Sequence, residues 1–202
     1  MLNSDLSAGV PGILEEVYEQ YQLPPLHAGW ATRRKSKHFK CYEEVAKRLG
    51  KLLGVDPWLI NPMFEKSEGV SLLESTDMDQ VRTQVDALLA KIRRKYKEYG
   101  IKKKPFVVIK ADDGDRALGV VTVRDSKDMD ALAERLQSKA KGANVLALPR
   151  DILIQEGVLT KERINDAVAE PEVHMMERHV VGGFYRVHAG RGPARRGAAR
   201  IA

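Results

Sequence analysis

Apolar residues at Met78, Val81, Val85, Leu88, Leu89, Ile92, Tyr96 and Tyr99 fall at the spacing of one helical face. They predict a long amphipathic helix that stops at Gly100 and buries this stripe as core. Beyond it the texture changes. Short β-rich runs occupy 105–110, 119–124, 144–148 and 152–155. Asp125 or Ser126 can cap a helix carrying Met129, Leu132 and Leu136, and Thr160 can cap another carrying Ile164 and Val168. Strands alternating with helices predict an α/β (α+β) fold, a helical N-terminal part followed by a mixed or antiparallel sheet with helices.

Upstream, Val10-Pro11-Gly12 and Leu23-Pro24-Pro25-Leu26 interrupt any helix, so the first thirty residues read as loop. From Tyr42, the positions Val45, Ala46, Leu49, Leu52 and Leu53 predict a helix over 41–53 that ends at Gly54. Pro57 and Pro62 bracket the apolar anchor Trp58-Leu59-Ile60. Near the end, Gly182-Gly183 between Val180-Val181 and Phe184-Tyr185 predicts an antiparallel hairpin turning at the glycines, with Arg186 on the face of Phe184 and His188. Residues 189–202 contain only Ala, Gly, Pro, Arg and one Ile, too little apolar bulk to offset the entropy of ordering. Three regions result: a mainly helical 1–104, a strand-rich 105–188 and a disordered basic tail, 189–202.

A chain of 202 residues can bury one good core or two small ones. Its 43% hydrophobic and 31% charged residues are those of a soluble globular protein, and no apolar run approaches the roughly 20 residues that span a bilayer. Cys41 is the single cysteine, and Met1 to Asp5 lack a secretory pattern, which together fit the cytoplasm. The net charge of +6 is clustered at Arg33-Arg34-Lys35 with Lys37, His38 and Lys40, at Arg93 to Lys104, and at Arg191 to Arg200. Each cluster is either a solvated face or a surface for phosphate, with nucleic acid as the rival partner.

The segment most suggestive of chemistry is Pro105 to Val123, a strand ending in Lys110, a loop between Gly114 and Gly119, and a second strand. Glycine lets a backbone approach a ligand closely, backbone amides donate to phosphate oxygens, and a strand-end lysine adds a point charge. The same pattern is also an ordinary hairpin, and Asp112, Asp113 and Asp115 would repel phosphate. A Walker loop is excluded, because no Gly-Lys-Ser/Thr follows and a strand, not a helix, comes next. Asp151 to Val158 reads as an apolar strand whose end could line a purine pocket with backbone. His174, His179 and His188 lack zinc spacing, no nucleophile elbow is present, and Cys41 reads as a buried, inert thiol.

Four stretches converge on one family. They are Leu23-Pro-Pro-Leu-His-Ala-Gly-Trp30 with Arg33 to Ser36, Asp56 to Pro62, Gln155 to Thr160 through Asn165 to Pro171, and Val180-Val-Gly-Gly-Phe-Tyr-Arg-Val-His188. From about Asp5 to His188 the chain resembles the glutamate-cysteine ligase family of the proteobacterial, Acidithiobacillus type. The resemblance implies an ATP-grasp-like fold and ATP-dependent joining of glutamate to cysteine, with Mg²⁺ assisting on ligands the sequence does not identify. It places Lys110 on the ATP phosphates, Gly114 to Gly119 over them, and Gln155, Glu156, Gly157 and Val158 at adenine. Arg186 would steady the transferring phosphoryl group, and Arg33, Arg34 and Lys35 would bind a substrate carboxylate. Two departures stand out. The family's Gly-Thr-Tyr-Gly-Met-Gly loop is here Gly114-Asp115-Arg116-Ala117-Leu118-Gly119, and the acidic, asparagine-rich continuation after His188 is replaced by an Arg-Gly-Ala tail. They lead to the expectation of a truncated ligase with impaired turnover, the alternative being a non-catalytic ATP-binding remnant.

Overall fold

The computed structural model describes residues 10–22, 25–26, 33–113, 120–140, 150–158 and 160–187. Its internal contacts divide the chain after Glu156 into two units, 1–156 and 157–202. The loop Gly114 to Gly119, the expected strand at 144–148, His188 and the basic tail lie outside the described residues.

In the first unit the long helix forms as the stripe predicts. It is α3, Ser75–Glu98, and it buries Met78, Val81, Val85, Leu88, Leu89 and Ile92. Before it come the single turn α1, Gly12–Glu15, then α2, Lys35–Leu53, a 3₁₀ turn at Pro57–Leu59 and strand β1, Phe64–Ser67. After it come β2, Val107–Ala111; β3, Val120–Val123; α4, Ser126–Ala140; and β4, Ile152–Glu156. Asp125 caps α4, its Oδ1 accepting from the Lys127 amide at 3.0 Å.

The four strands form an antiparallel sheet in the order β1-β4-β2-β3. Strand alternation sends Val107, Ile109, Val121, Val123, Ile152 and Ile154 into one core with the α3 stripe and with Met129, Leu132 and Leu136 of α4. Each such side chain contributes roughly 1.5–3 kcal/mol on burial. The change in composition near residue 104 therefore runs through a single unit: β1, from the helical half, pairs with β4, and α3 packs on β2. Sequence periodicity did not reveal β1, because Phe64-Glu65-Lys66-Ser67 has no apolar alternation.

Helix α2 departs from expectation at its start, and Cys41 on it is exposed, not buried. The helix begins at Lys35, six residues before the expected start at 41, because its orphan N-terminal amides find distant partners: Lys35 N–H donates to the Asp112 carbonyl at 2.8 Å and Ser36 N–H to Asp112 Oδ1 at 2.6 Å. Its end at Gly54, with φ of 66°, is the left-handed cap the sequence predicts. The buried residues are Ser36, Phe39, Ala46 and Gly50, whereas Val45, Leu49, Leu52, Leu53 and Cys41 are exposed. Gly50 helps set this orientation, since a Cβ there would lie 2.7 Å from the Val55 carbonyl oxygen and 3.0 Å from Pro57 Cγ.

The second unit is an antiparallel sheet of β5, Arg163–Ile164; β6, Ala167–Met176; and β7, His179–Val187, in that order. The helix expected after Thr160 is replaced by a hairpin, because Asn165 and Asp166 both take positive φ (49° and 59°), as a primed two-residue turn requires. The second hairpin turns at Glu177-Arg178, with Glu177 at φ 54°, and not at the glycines. Gly182 and Gly183 instead sit within β7 opposite His174 and Val173, where a Cβ on Gly183 would lie 2.9 Å from the Glu172 carbonyl oxygen. Among the described residues no helix is long and apolar enough to cross a membrane.

Candidate functional site

The face of the first sheet turned away from α3 and α4 is unusually polar for a surface this deeply buried. Lys110 on β2 is paired in register with Leu153, and Gln155 on β4 with Val108, so the two polar side chains are diagonal neighbours on one face. Lys110 is 6% exposed and Gln155 fully buried. Lys110 Nζ donates to Gln155 Oε1 at 2.6 Å and lies 5.4 Å from the centroid of the Phe39 ring, which α2 lays over the same face. Burial, and after it the charges of Lys35 and Arg33, lower the Lys110 ammonium to about 8. Gln155 Nε2 has no hydrogen-bond partner among the described residues. A buried ammonium and an unanswered amide N–H together present donors in need of an acceptor, which suits a phosphate or carboxylate oxygen.

Beyond Lys110 the strand end is fixed to the start of α2. The Asp112 carboxylate is fully buried; Oδ1 accepts from the Ser36 amide, and Oδ2 from Ser36 Oγ at 2.7 Å and Lys66 Nζ at 3.3 Å. Burial alone would push this carboxyl up, but the Ser36 amide and hydroxyl and the Lys66 ammonium outweigh it and hold it below the usual range. Asp112 therefore turns inward as an anchor and does not face a ligand as a repelling charge. Lys35 Nζ donates to the carbonyls of Ala111, at 2.8 Å, and Asp113, while Arg34 pairs with the Asp113 carboxylate at 3.1 Å. The Lys35 ammonium is lowered by burial, against the opposing pull of Asp113 and Asp112.

The structure thus brings the basic run Arg33-Arg34-Lys35 to the strand end that carries Lys110, and it engages Arg34 and Lys35 with that strand end directly. The neighbouring residues of β4 divide their roles. The Glu156 carboxylate, raised by burial, accepts from Trp58 Nε1 at 2.9 Å and from the Met63 amide at 3.0 Å, so it holds the 58–63 segment. Gly157 is buried and Val158 exposed. Arg186 belongs to the second unit, where it forms an ion pair with Glu172 across the hairpin. Gly114 and Gly119 are outside the described residues. Four residues that shape the site went unassigned as such in the sequence: Ser36, Phe39, Lys66 and Asp112. Only the long-range approach of α2 and β1 to the end of β2 reveals them, and no local motif signals it.

The family model described as GshA, glutamate-cysteine ligase, matches residues 1–199. A 1.90 Å crystal structure of a protein from Methylobacillus flagellatus KT, provisionally named a gamma-glutamylcysteine synthetase, is 44% identical to this chain with a TM-score of 0.77. That match covers 94% of this chain and 45% of the Methylobacillus chain, so this chain spans less than half the length of its relative. None of the curated proteins matches. A family match running through both units, supported by a relative with the same fold at this level of identity, shows that the chain belongs to the glutamate-cysteine ligase family.

Proposed function

We propose that this chain carries the ATP-phosphate-binding part of a cytoplasmic glutamate-cysteine ligase of the proteobacterial type, with Lys110 as its central cation. One observation carries the reading: a buried lysine, lowered to about 8, beside a buried glutamine whose amide N–H lacks an acceptor among the described residues. Natural cores rarely retain such a pair without use, because an unpaired buried donor costs about 1–3 kcal/mol. ATP fits this donor set. In the proposed reaction ATP activates the γ-carboxylate of glutamate by phosphorylation, and the amine of cysteine then displaces phosphate to form the amide. Lys110 draws phosphate oxygens onto the sheet face and Phe39 screens that ammonium from water. Asp112, through Ser36 and Lys66, keeps the strand end and its cation in place.

Arg33, Arg34 and Lys35 supply positive charge for a substrate carboxylate in the same proposal, and Gly157 and Val158 at adenine and Arg186 at the transferring phosphoryl group keep the roles that the family resemblance implies. The described residues contain no group of three or more His, Cys, Asp or Glu that could hold a metal ion, so no ligand for Mg²⁺ is assigned among them. No step is assigned to it. The charged pair Asp115-Arg116 within the covering loop supports slow turnover, with nucleotide binding as the function that persists.

The test measures ADP release and γ-glutamylcysteine by mass spectrometry with ATP, Mg²⁺, glutamate and cysteine, alongside reactions omitting each amino acid. The thermal shift produced by ATP is measured in parallel for the chain and for Lys110→Ala. The expected result is ATP-dependent stabilisation that Lys110→Ala loses, with any product requiring both amino acids. Absence of an ATP effect in the unsubstituted chain, or equal effects in both, would overturn the assignment.

A further inference from the structure

The least expected surface of the first unit is the outer side of α2. Tyr42, Val45, Leu49 and Leu52 recur at three- and four-residue intervals, a single helical stripe, with Leu53 beside it. All five are exposed, Val45 to 58% and Leu52 to 81%. The helix is anchored by its other face, through Phe39, Ala46 and Gly50, so this stripe is not a helix misplaced by rotation: turning it inward would break the Gly50 contact with Val55 and Pro57. Scattered exposed leucines need no explanation, but a continuous stripe on a well-anchored helix marks a surface made to be covered.

The charge on the helix narrows what covers it. Between Lys35 and Leu53 there are six Lys or Arg and two Glu. At 100° per residue Arg48, Lys37, Glu44 and Lys51 follow one another along one side of the stripe, three basic residues to one acidic. A second copy of α2 would add like charges to these, whereas an apolar segment edged by Asp and Glu would match them. The Methylobacillus relative provides a source for such a segment, because this chain corresponds to only 45% of its length and the rest of that polypeptide is available to lie on this helix.

We propose that the Tyr42-Val45-Leu49-Leu52 stripe is the docking surface for an apolar, acid-edged segment of the ligase polypeptide, one belonging to the part of the family's chain that this sequence does not span. The surface is distinct from the Lys110 site, and the proposal rests on family membership and not on the nucleotide reading. Docking would cover α2, the helix whose N-terminus holds the strand end beside Lys110, so the added segment would also steady that site from behind.

The test uses Val45→Glu/Leu49→Glu. In this chain alone the pair of substitutions should leave the melting temperature within about 2 °C of the parent, as for exposed positions. Introduced at the aligned positions of the full-length Methylobacillus protein, the same pair should lower it by on the order of 10 °C, because two carboxylates would be buried there. The unaligned remainder of that protein, tagged and co-expressed with this chain, should co-purify with it, release in 0.5 M salt (about a 4 Å screening length), and fail to capture the double variant. An unchanged melting temperature in the Methylobacillus protein overturns the proposal whether or not the co-expressed remainder is soluble. So does self-association of this chain that the two substitutions abolish, which would make a second copy the occupant.

Discussion

Lys110 and Gln155 meet at 2.6 Å from neighbouring antiparallel strands, and burial together with Lys35 and Arg33 brings the Lys110 ammonium down to about 8. An anion held by this group is held while the lysine is charged. Affinity for ATP should therefore be steady below pH 8 and weaken as pH rises through it, by up to about tenfold per unit. Calorimetric titration at pH 6.5, 7.5, 8.5 and 9.5 measures this. A profile flat to pH 9.5 would show that no ammonium lowered to about 8 holds the ligand, since an ordinary lysine stays charged over that range.

The same depression has a consequence for stability. The folded value of about 8 lies below the ordinary 10.5, so the fold disfavours the charged form. Below pH 8 the full penalty is present; between 8 and 10.5 the folded chain has released a proton that the unfolded chain retains, and stability rises with pH. Replacing both partners, Lys110→Met with Gln155→Leu, removes the penalty without orphaning either group, as apolar replacements of buried polar pairs often do. The double variant should be more stable than the parent at pH 7 by up to about 3 kcal/mol in urea denaturation, and the advantage should shrink at pH 10. It should no longer respond to ATP.

How much of this was legible beforehand depended on whether the cause was local. The α3 stripe, the Gly54 cap, the Asp125 cap and the runs that became β2, β3 and β4 all carry their signals within a few residues, and the structure contains each of them. Lys110 and Gln155 could each be singled out from strand-end position and from family resemblance. Their pairing could not, because it depends on the β2–β4 register. The start of α2 was hidden for the same reason, its capping group being a carboxylate 76 residues away. The α2 spacing predicts the helix but not its orientation, and Cys41, expected to be buried, is exposed: periodicity identifies an apolar face but not whether anything in the chain covers it. The two hairpin errors came from turn chemistry, since Asn165-Asp166 and Glu177 take positive φ without glycine while Gly182-Gly183 stay in a strand.

The anchor at Asp112 gives a third expectation. Asp112→Ala leaves the Ser36 amide, the Ser36 hydroxyl and Lys66 without their shared acceptor inside the fold, and should cost about 3 kcal/mol by urea denaturation. Ser36→Ala removes one of the two Ser36 bonds and keeps the amide, so about 1 kcal/mol is expected. The Asp112 carboxyl is held below its ordinary 3.8, so its contribution is complete above that value and is lost as pH falls through the lower folded value. The gap between parent and Asp112→Ala should therefore close in acid. A gap that persists unchanged into acid would mean that the anchor works by shape alone.

Glu156 poses the opposite case. Burial raises its carboxyl above the ordinary 4.5 although Trp58 Nε1 and the Met63 amide both donate to Oε2. Stability from this group thus falls as pH climbs from 4.5 through the raised value, because the folded chain holds the proton longer than the unfolded one. Glutamine keeps an oxygen acceptor for both donors and carries no charge to bury. Glu156→Gln should match or exceed the parent in stability at pH 7 and lose its advantage near pH 4, where both proteins are neutral at this position. Glu156→Leu leaves two buried donors unanswered and should cost about 2–4 kcal/mol at either pH. Trp30 and Trp58 are the two tryptophans, so Trp30→Phe as background isolates the indole that donates to Glu156. Its fluorescence should be nearly preserved in the glutamine variant and shifted to the red in the leucine variant, where the 58–63 segment loosens. If the leucine variant proved as stable as the parent with its emission unmoved, Glu156 would not be what holds that segment, and its position at the end of β4 would again be open to a direct role at adenine.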